Sequence, residues 1–276
     1  MKKIYLIFIM TIAPLLGFSQ TEIGKDFKYK ATYELTYQPD STDVNSIKSE
    51  SMILYLGDKI SRFSSLGTVV GDSLMKHRDK SNKNMAAFAR LRSQIPKTDF
   101  DYYIYKGIPE NKFSYTQEIV KDNYRVIEDL AIFDWKIQPE TKSINGFKSQ
   151  KATTKFAGRD YTAWFTSEIP ILDGPYKFNG LPGLILEISD RKNHYSFVLT
   201  EFQKLREPIP FKFTPNDYLL TKRDELLNIY DEYMSNPFAA LGRQGITLDF
   251  QPGQKEKMMK EHREELKKKN NPIELE

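Results

Sequence analysis

The sequence predicts a mainly β (α+β) chain: a curved antiparallel sheet or half-open β-barrel with one or two packing helices and a helical C-terminal tail. Three observations carry that expectation. Aromatic residues make up 13% of the chain, with 16 Tyr and 18 Phe, and such rings suit a pleated, half-buried surface. Apolar and polar residues alternate along several segments, most clearly from Phe27 to Gln38, which is the period of a strand with one wet and one dry face. Turn residues separate these segments at short intervals, as in an antiparallel meander.

The first strand is the clearest. Phe27, Tyr29, Ala31, Tyr33, Leu35 and Tyr37 alternate with polar residues, so all six are expected on one buried face. Pro39-Asp40-Ser41 ends the run with turn chemistry. Ser51 to Leu56 and Lys59 to Ser64 flank Gly57-Asp58 and read as a hairpin. Residues 73–92 lack Gly and Pro and carry Leu74, Met85, Phe88 and Leu91, which predicts a helix or a helix-containing loop. Beyond Pro96 the period of two returns over Phe100 to Ile104, Phe113 to Gln117 and Tyr124 to Glu128. Asn145-Gly146 marks a hairpin turn. Gln150 to Ala157 and Tyr161 to Thr166 flank a tight connection at Gly158-Arg159-Asp160. Leu184 to Ser189 and Tyr195 to Phe202 flank another at residues 190–193. About nine to eleven strands fit this pattern.

After Pro208 and Pro210 the character changes. Asn216 to Met234 reads as a helix, and Lys255 to Lys269 as a highly charged, solvated one. In the second, Glu256–Lys260, Glu264–Lys268 and Glu265–Lys269 have i,i+4 spacing. The expected organisation is a signal segment over 1–19, an antiparallel β domain over 20–210, and a helical extension over 211–276 packed on it or trailing from it.

Residues 1–19 read as a secretory signal. Lys2 and Lys3 precede an apolar run from Ile4 to Leu16, and Gly17 and Ser19 supply the small residues of a cleavage site before Gln20. The apolar run falls short of the ~20 residues of a spanning helix, which leaves an uncleaved anchor as the second reading. No later stretch is apolar enough to span a membrane. The expected location is therefore the periplasm, the cell surface or the exterior. Cys is absent, which removes disulfides, thiolate metal sites, thiol catalysis and a lipid anchor on an N-terminal Cys. Half of the formal net charge of +4 lies on Lys2 and Lys3, so nothing suggests a nucleic-acid partner.

The stretch Gly174-Pro175-Tyr176-Lys177-Phe178-Asn179-Gly180-Leu181-Pro182-Gly183-Leu184-Ile185 resembles the signature of the GLPGLI family. The resemblance extends to Gly146-Phe147, Lys151-Ala152-Thr153, Gly158-Arg159-Asp160-Tyr161, Ala163-Trp164-Phe165-Thr166, Ile169-Pro170 and Asn271-Pro272-Ile273-Glu274-Leu275. It is densest between Ile144 and Asp190. It implies an exported protein of Gram-negative bacteria and supplies no catalytic residue. Ser149 stands where family members often carry Cys, so a thiol-dependent role is not carried over. By analogy of architecture, the expected fold is LolA-like, after the half-open barrel of that lipoprotein carrier.

Read physically, Gly174, Pro175, Gly180, Leu181, Pro182 and Gly183 form a structural motif. Pro182-Gly183 suits a type II turn, and Phe178 and Leu181 pin the loop to the core. A functional reading of the same loop exposes Tyr176, Lys177 and Phe178 to grip a ligand or partner. Arg159 is a second binding candidate, because guanidinium holds carboxylate or phosphate, with two solvated turn charges as the plainer reading. Trp164 is a third, with sheet-face packing as the plainer reading.

Catalytic and metal motifs are missing, and no cofactor is expected. His77 and His262 read as solvated residues. His194 begins a strand beside a turn and is the one histidine suited to a catalytic base, with Asp173 or Asp190 as its orienting carboxylate. These observations lead to a non-enzymatic binding or carrier protein for a lipid, peptide or other apolar ligand. An interaction module for an outer-membrane assembly and an envelope hydrolase using His194 are the alternatives.

Overall fold

The computed structural model describes residues 23–79 and 84–276. The expected signal segment 1–19 lies outside the described residues. Twelve strands are present: β1 (Ile23–Tyr37), β2 (Lys48–Leu56), β3 (Ser61–Ser65), β4 (Tyr102–Lys106), β5 (Lys112–Ile119), β6 (Asp122–Asp129), β7 (Lys136–Ile144), β8 (Phe147–Phe156), β9 (Arg159–Thr166), β10 (Leu184–Asp190), β11 (Tyr195–Phe213) and β12 (Leu219–Leu220). The helices are α1 (Leu66–Lys76), α2 (Met85–Arg92), α3 (Arg223–Ser235), α4 (Pro237–Arg243) and α5 (Gln254–Lys267). Among the described residues no helix is long and apolar enough to cross a membrane.

All twelve strands form one open sheet in the order β12-β6-β5-β4-β3-β2-β1-β11-β10-β9-β8-β7. Neighbours are antiparallel except β12, which pairs parallel to β6. The sheet is strongly curled. Lys177 Nζ lies 5.1 Å from the Phe113 ring centroid on β5 and 5.9 Å from that of Phe156 on β8. Those strands stand eight places apart in the sheet, which on a flat sheet would separate them by ~38 Å at ~4.8 Å per strand. The concave side therefore encloses what it packs against, although the edges β12 and β7 do not close into a barrel.

The core follows the alternation read from the sequence, with one break. Ala31, Tyr33, Leu35 and Tyr37 are buried in the main cluster with Met52, Leu54 and Phe63. Phe27 instead joins a second cluster with Ile60, Tyr105, Phe211 and Phe213. Tyr105 follows Ile104, a residue of the main cluster, so the second cluster covers the opposite, convex face. The cause is a register shift between Phe27 and Tyr29 against β11. The partner moves from Ile209 to Lys204 across two positions, a displacement of three residues in register, and an odd displacement turns side chains to the other face.

Several elements differ from expectation. The helix expected over 73–92 is two helices. α1 begins earlier, where the Ser65 hydroxyl accepts the Thr68 N–H, and α2 begins at Met85 after Asn84 accepts the Ala86 and Ala87 N–H groups. The helix expected from Asn216 starts at Arg223, because Pro215–Asp217 form a 3-10 turn and Leu219–Leu220 pair with Tyr124 and Arg125. In α5 the ion pairs are Lys257–Glu261 and Lys267–Glu264, and Lys269 leaves the helix to meet Asp99 at 2.8 Å. β11 runs through to Phe213, past the expected boundary at 210. The tail folds back, and Ile273 packs against the main cluster.

Candidate functional site

The twelve-residue motif fills the hollow of the sheet. Tyr176, Phe178 and Leu181 are buried in the main cluster, and Phe178 touches Tyr161, Phe156, Phe133 and Tyr176. Burying one such ring is worth ~1.5–3 kcal/mol. The backbone bends as the sequence suggests but more tightly. The Gly183 N–H donates to the Leu181 carbonyl at 2.8 Å, and the Leu184 N–H turns away to Ile169. The turn is thus a three-residue one centred on Pro182, not a type II turn. Gly183 is required because a Cβ there would overlap the Thr166 carbonyl.

A buried lysine from outside the motif holds the loop. Lys106 on β4 is 3% exposed. Its ammonium donates to Asp173 and to the carbonyls of Gly174 (2.7 Å) and Phe178 (2.9 Å). Burial pushes the Lys106 pKa down, against the pull of Asp173. Three acceptors match the three N–H bonds of an ammonium.

The binding candidates are placed as follows. Tyr176, Lys177 and Phe178 do not project into solvent; they are buried. Lys177 pairs with Glu128 at 2.9 Å and Glu274 at 2.8 Å, and the Tyr176 hydroxyl donates to Glu274 at 2.6 Å. Burial, followed by the charge of Glu274, pushes Tyr176 well above the usual phenol range. Arg159 is not a solvated turn residue. The tight turn lies one residue earlier, at Ala157-Gly158, where Phe156 pairs with Arg159. The Arg159 guanidinium is buried beside Asp190 (3.4 Å) and donates to Asn271 Oδ1, the Pro272 carbonyl and the Ile273 carbonyl at 2.7, 2.6 and 3.1 Å. It clamps the segment 271–276 onto the sheet. Trp164 lies half-buried on β9 with the Lys142 ammonium 4.4 Å from its ring.

The three proposed catalytic groups do not form a triad. His194 Nδ1 lies 3.5 Å from Arg159 Nη1, beside a cation. Asp190 accepts the Lys192 and Tyr195 N–H groups and so shapes its hairpin. Asp173 is held by Lys106. Among the described residues no three His, Asp or Glu side chains converge as metal ligands.

A cleft of about 530 Å³ opens between α3, the outer strands β4–β6 and the segment 271–276. Leu226 seats α3 on Ile119 and Val126. Arg223, in the first turn of α3, pairs with Glu274 and stands 3.8 Å from Glu128. Tyr102, Tyr115 and Tyr230 line the cleft, with the first two ring centroids 4.9 Å apart. Burial raises the pKa of all three, Tyr230 to about 12 with help from Asp101. They therefore face the cleft as neutral phenols. Asp101 accepts from Gln117 at 3.2 Å, and Tyr115 donates to the same Gln117 at 3.1 Å. Crowding by protein raises the Asp101 pKa, opposed by its hydrogen bonds and by Lys269.

Sequence reasoning found the loop and missed what braces it. Lys106, Glu128, Arg223 and Glu274 lie 67 or more residues apart from one or another of their partners, or 46 to 97 residues from Lys177, and nothing local marks them. Asp101 carried one usable signal, a charge set between the aromatics Phe100 and Tyr102.

A family model described as a protein of unknown function (Porph_ging) matches residues 157–187, which cover β9 and the motif through most of β10. No curated protein sequence matches the chain. Two solved structures of PNGF-II, in the P21 and C2 space groups, are similar to it with a TM-score of 0.47 and 15% and 16% identity. The similarity covers 71% and 73% of this chain but 31% and 32% of theirs. The chain thus spans about a third of the length of the structures it matches.

Proposed function

We propose that the chain is an exported, non-enzymatic binding protein of the GLPGLI type, and that its ligand sits in the tyrosine cleft under α3. The observation that carries this reading is the cleft itself: three neutral phenol rings around a space of about 530 Å³, within the size range of small-ligand sites. A rigid base supports it, because Lys177, Glu128, Arg223 and Glu274 cross-brace the motif, β6, α3 and the segment 271–276. The LolA-like carrier idea needs a hollow sheet, and here the concave side holds Tyr176, Phe178 and Leu181. A short peptide or a small apolar-faced molecule therefore suits the cleft better than a lipid chain in the sheet.

The hydrolase alternative lacks support, since His194 faces a guanidinium where a base needs an orienting carboxylate. Native purification from an envelope fraction followed by mass spectrometry tests the reading. The expected result is a co-purifying small molecule or peptide that is lost on Tyr230→Ala, with a mature N-terminus at Gln20. A ligand retained by Tyr230→Ala, or none in the wild type, would overturn it.

A further inference from the structure

The polar groups of the cleft are unevenly satisfied. Glu128 and Glu274 share the cations of Lys177 and Arg223. Asp99 is held by Lys48 and Lys269, each at 2.8 Å. Asp101, on the same wall, has the Gln117 amide as its side-chain hydrogen-bond partner and feels the Lys269 charge, but forms no ion pair among the described residues. Tyr102 is 8% exposed and lines the cleft; its hydroxyl is not among the buried polar atoms left without a partner, so it opens to the cleft rather than to the core. A hydroxyl that opens to a cleft is free to exchange its water for a ligand group. Tyr115 and Tyr230 complete the wall.

We infer that this cleft takes an organic cation: an ammonium or guanidinium group on a short apolar stem, held by the Asp101 carboxylate, the Tyr102 hydroxyl and the rings of Tyr115 and Tyr230. The inference rests on the tyrosine cleft being the ligand site. Each part of the wall matches one property of such a group. The carboxylate supplies the opposite charge, the open hydroxyl accepts an N–H, and phenol faces attract cations through their quadrupole.

Calorimetry at low ionic strength with four blocked tripeptides tests it: acetyl-Ala-X-Ala-amide with X as Lys, Arg, norleucine or Glu. n-Butylammonium, which keeps the N–H groups on a short apolar stem, serves as a fifth probe and separates a free amine from a peptide side chain. The Lys and Arg peptides are expected to bind at least tenfold more tightly than norleucine, and Glu more weakly still. Asp101→Asn should erase the preference while leaving norleucine unchanged, and Tyr102→Phe, which keeps the ring, should weaken the cationic peptides several-fold. Added salt should reduce the preference, as should acid that protonates Asp101. Equal binding of Lys and norleucine, unaltered by Asp101→Asn, would overturn the cation inference while leaving the cleft as a site. No binding of any probe would also overturn it, and the co-purification experiment then judges the cleft separately.

Discussion

Lys177 Nζ stands 2.8 Å from Glu274 Oε1, with 4% and 8% of the two side chains exposed, so one buried ion pair joins the centre of the motif to the end of the chain. Removing one partner of such a pair strands the other charge, which costs ~3–5 kcal/mol, whereas removing both is far milder. Lys177→Met is expected near the lower end, because Arg223 still serves Glu274. The double variant Lys177→Met/Glu274→Gln should recover part of the loss. Urea unfolding of the four-member cycle measures it. A Lys177→Met penalty below ~1 kcal/mol would show that the pair is dispensable.

Deleting residues 271–276 removes three acceptors from the Arg159 guanidinium and the hydroxyl partner of Tyr195. Hydrogen bonds to charged groups are worth ~1.5–3 kcal/mol each, and a buried donor left empty costs its full desolvation. The truncated chain should lose more than ~3 kcal/mol and bind a hydrophobic dye. Unchanged melting would mean that the segment is only an ornament of the fold.

Two glycines separate strain from overlap. Gly146, at φ +83°, has open space where a Cβ would go, while Gly183 faces the Thr166 carbonyl. Gly146→Ala should cost ~1 kcal/mol. Gly183→Ala should cost ~3 kcal/mol or more, or abolish soluble yield. Thermal melts of the two variants in parallel provide the comparison, and equal penalties would contradict it.

Neighbouring aspartates should show opposite pH behaviour. Burial works against the Asp99 charge, but hydrogen bonds from Lys269, Lys48 and Tyr37 outweigh it and hold the carboxyl below its ordinary range. Its stabilisation is present above the unfolded value of ~3.9 and is lost as pH falls through the depressed folded value. Asp101 is raised by crowding, so its contribution is full below ~3.9 and falls as pH rises through the raised value. Asp99→Asn should therefore destabilise at neutral pH, and Asp101→Asn should stabilise. Melting curves from pH 3 to 8 check both signs, and the same sign for both would refute the assignment.

Local pattern exposed the strands whose faces differ and hid those whose faces do not. β1 was legible from alternation, and the hairpin at Asn145-Gly146 from its turn pair, where both residues take positive φ. The slip at Phe27 was not, because the apolar period runs through it unbroken. β7 was missed because it is an exposed edge carrying Pro139, with a register shift between Ile137 and Thr141. At the site, the motif could be read but not its burial. Lys177 looks like a surface residue until Glu128 and Glu274 arrive from elsewhere in the chain. Arg159 likewise depends on Asn271, 112 residues away.

The Asn271 side-chain amide donates to the Gln38 carbonyl at 2.6 Å across 233 residues. The neighbourhood of the first strand thus waits for residues synthesised 233 positions later. Pairings of such span slow the search for the native state, so a nascent chain spends its synthesis with the hollow of the sheet uncapped.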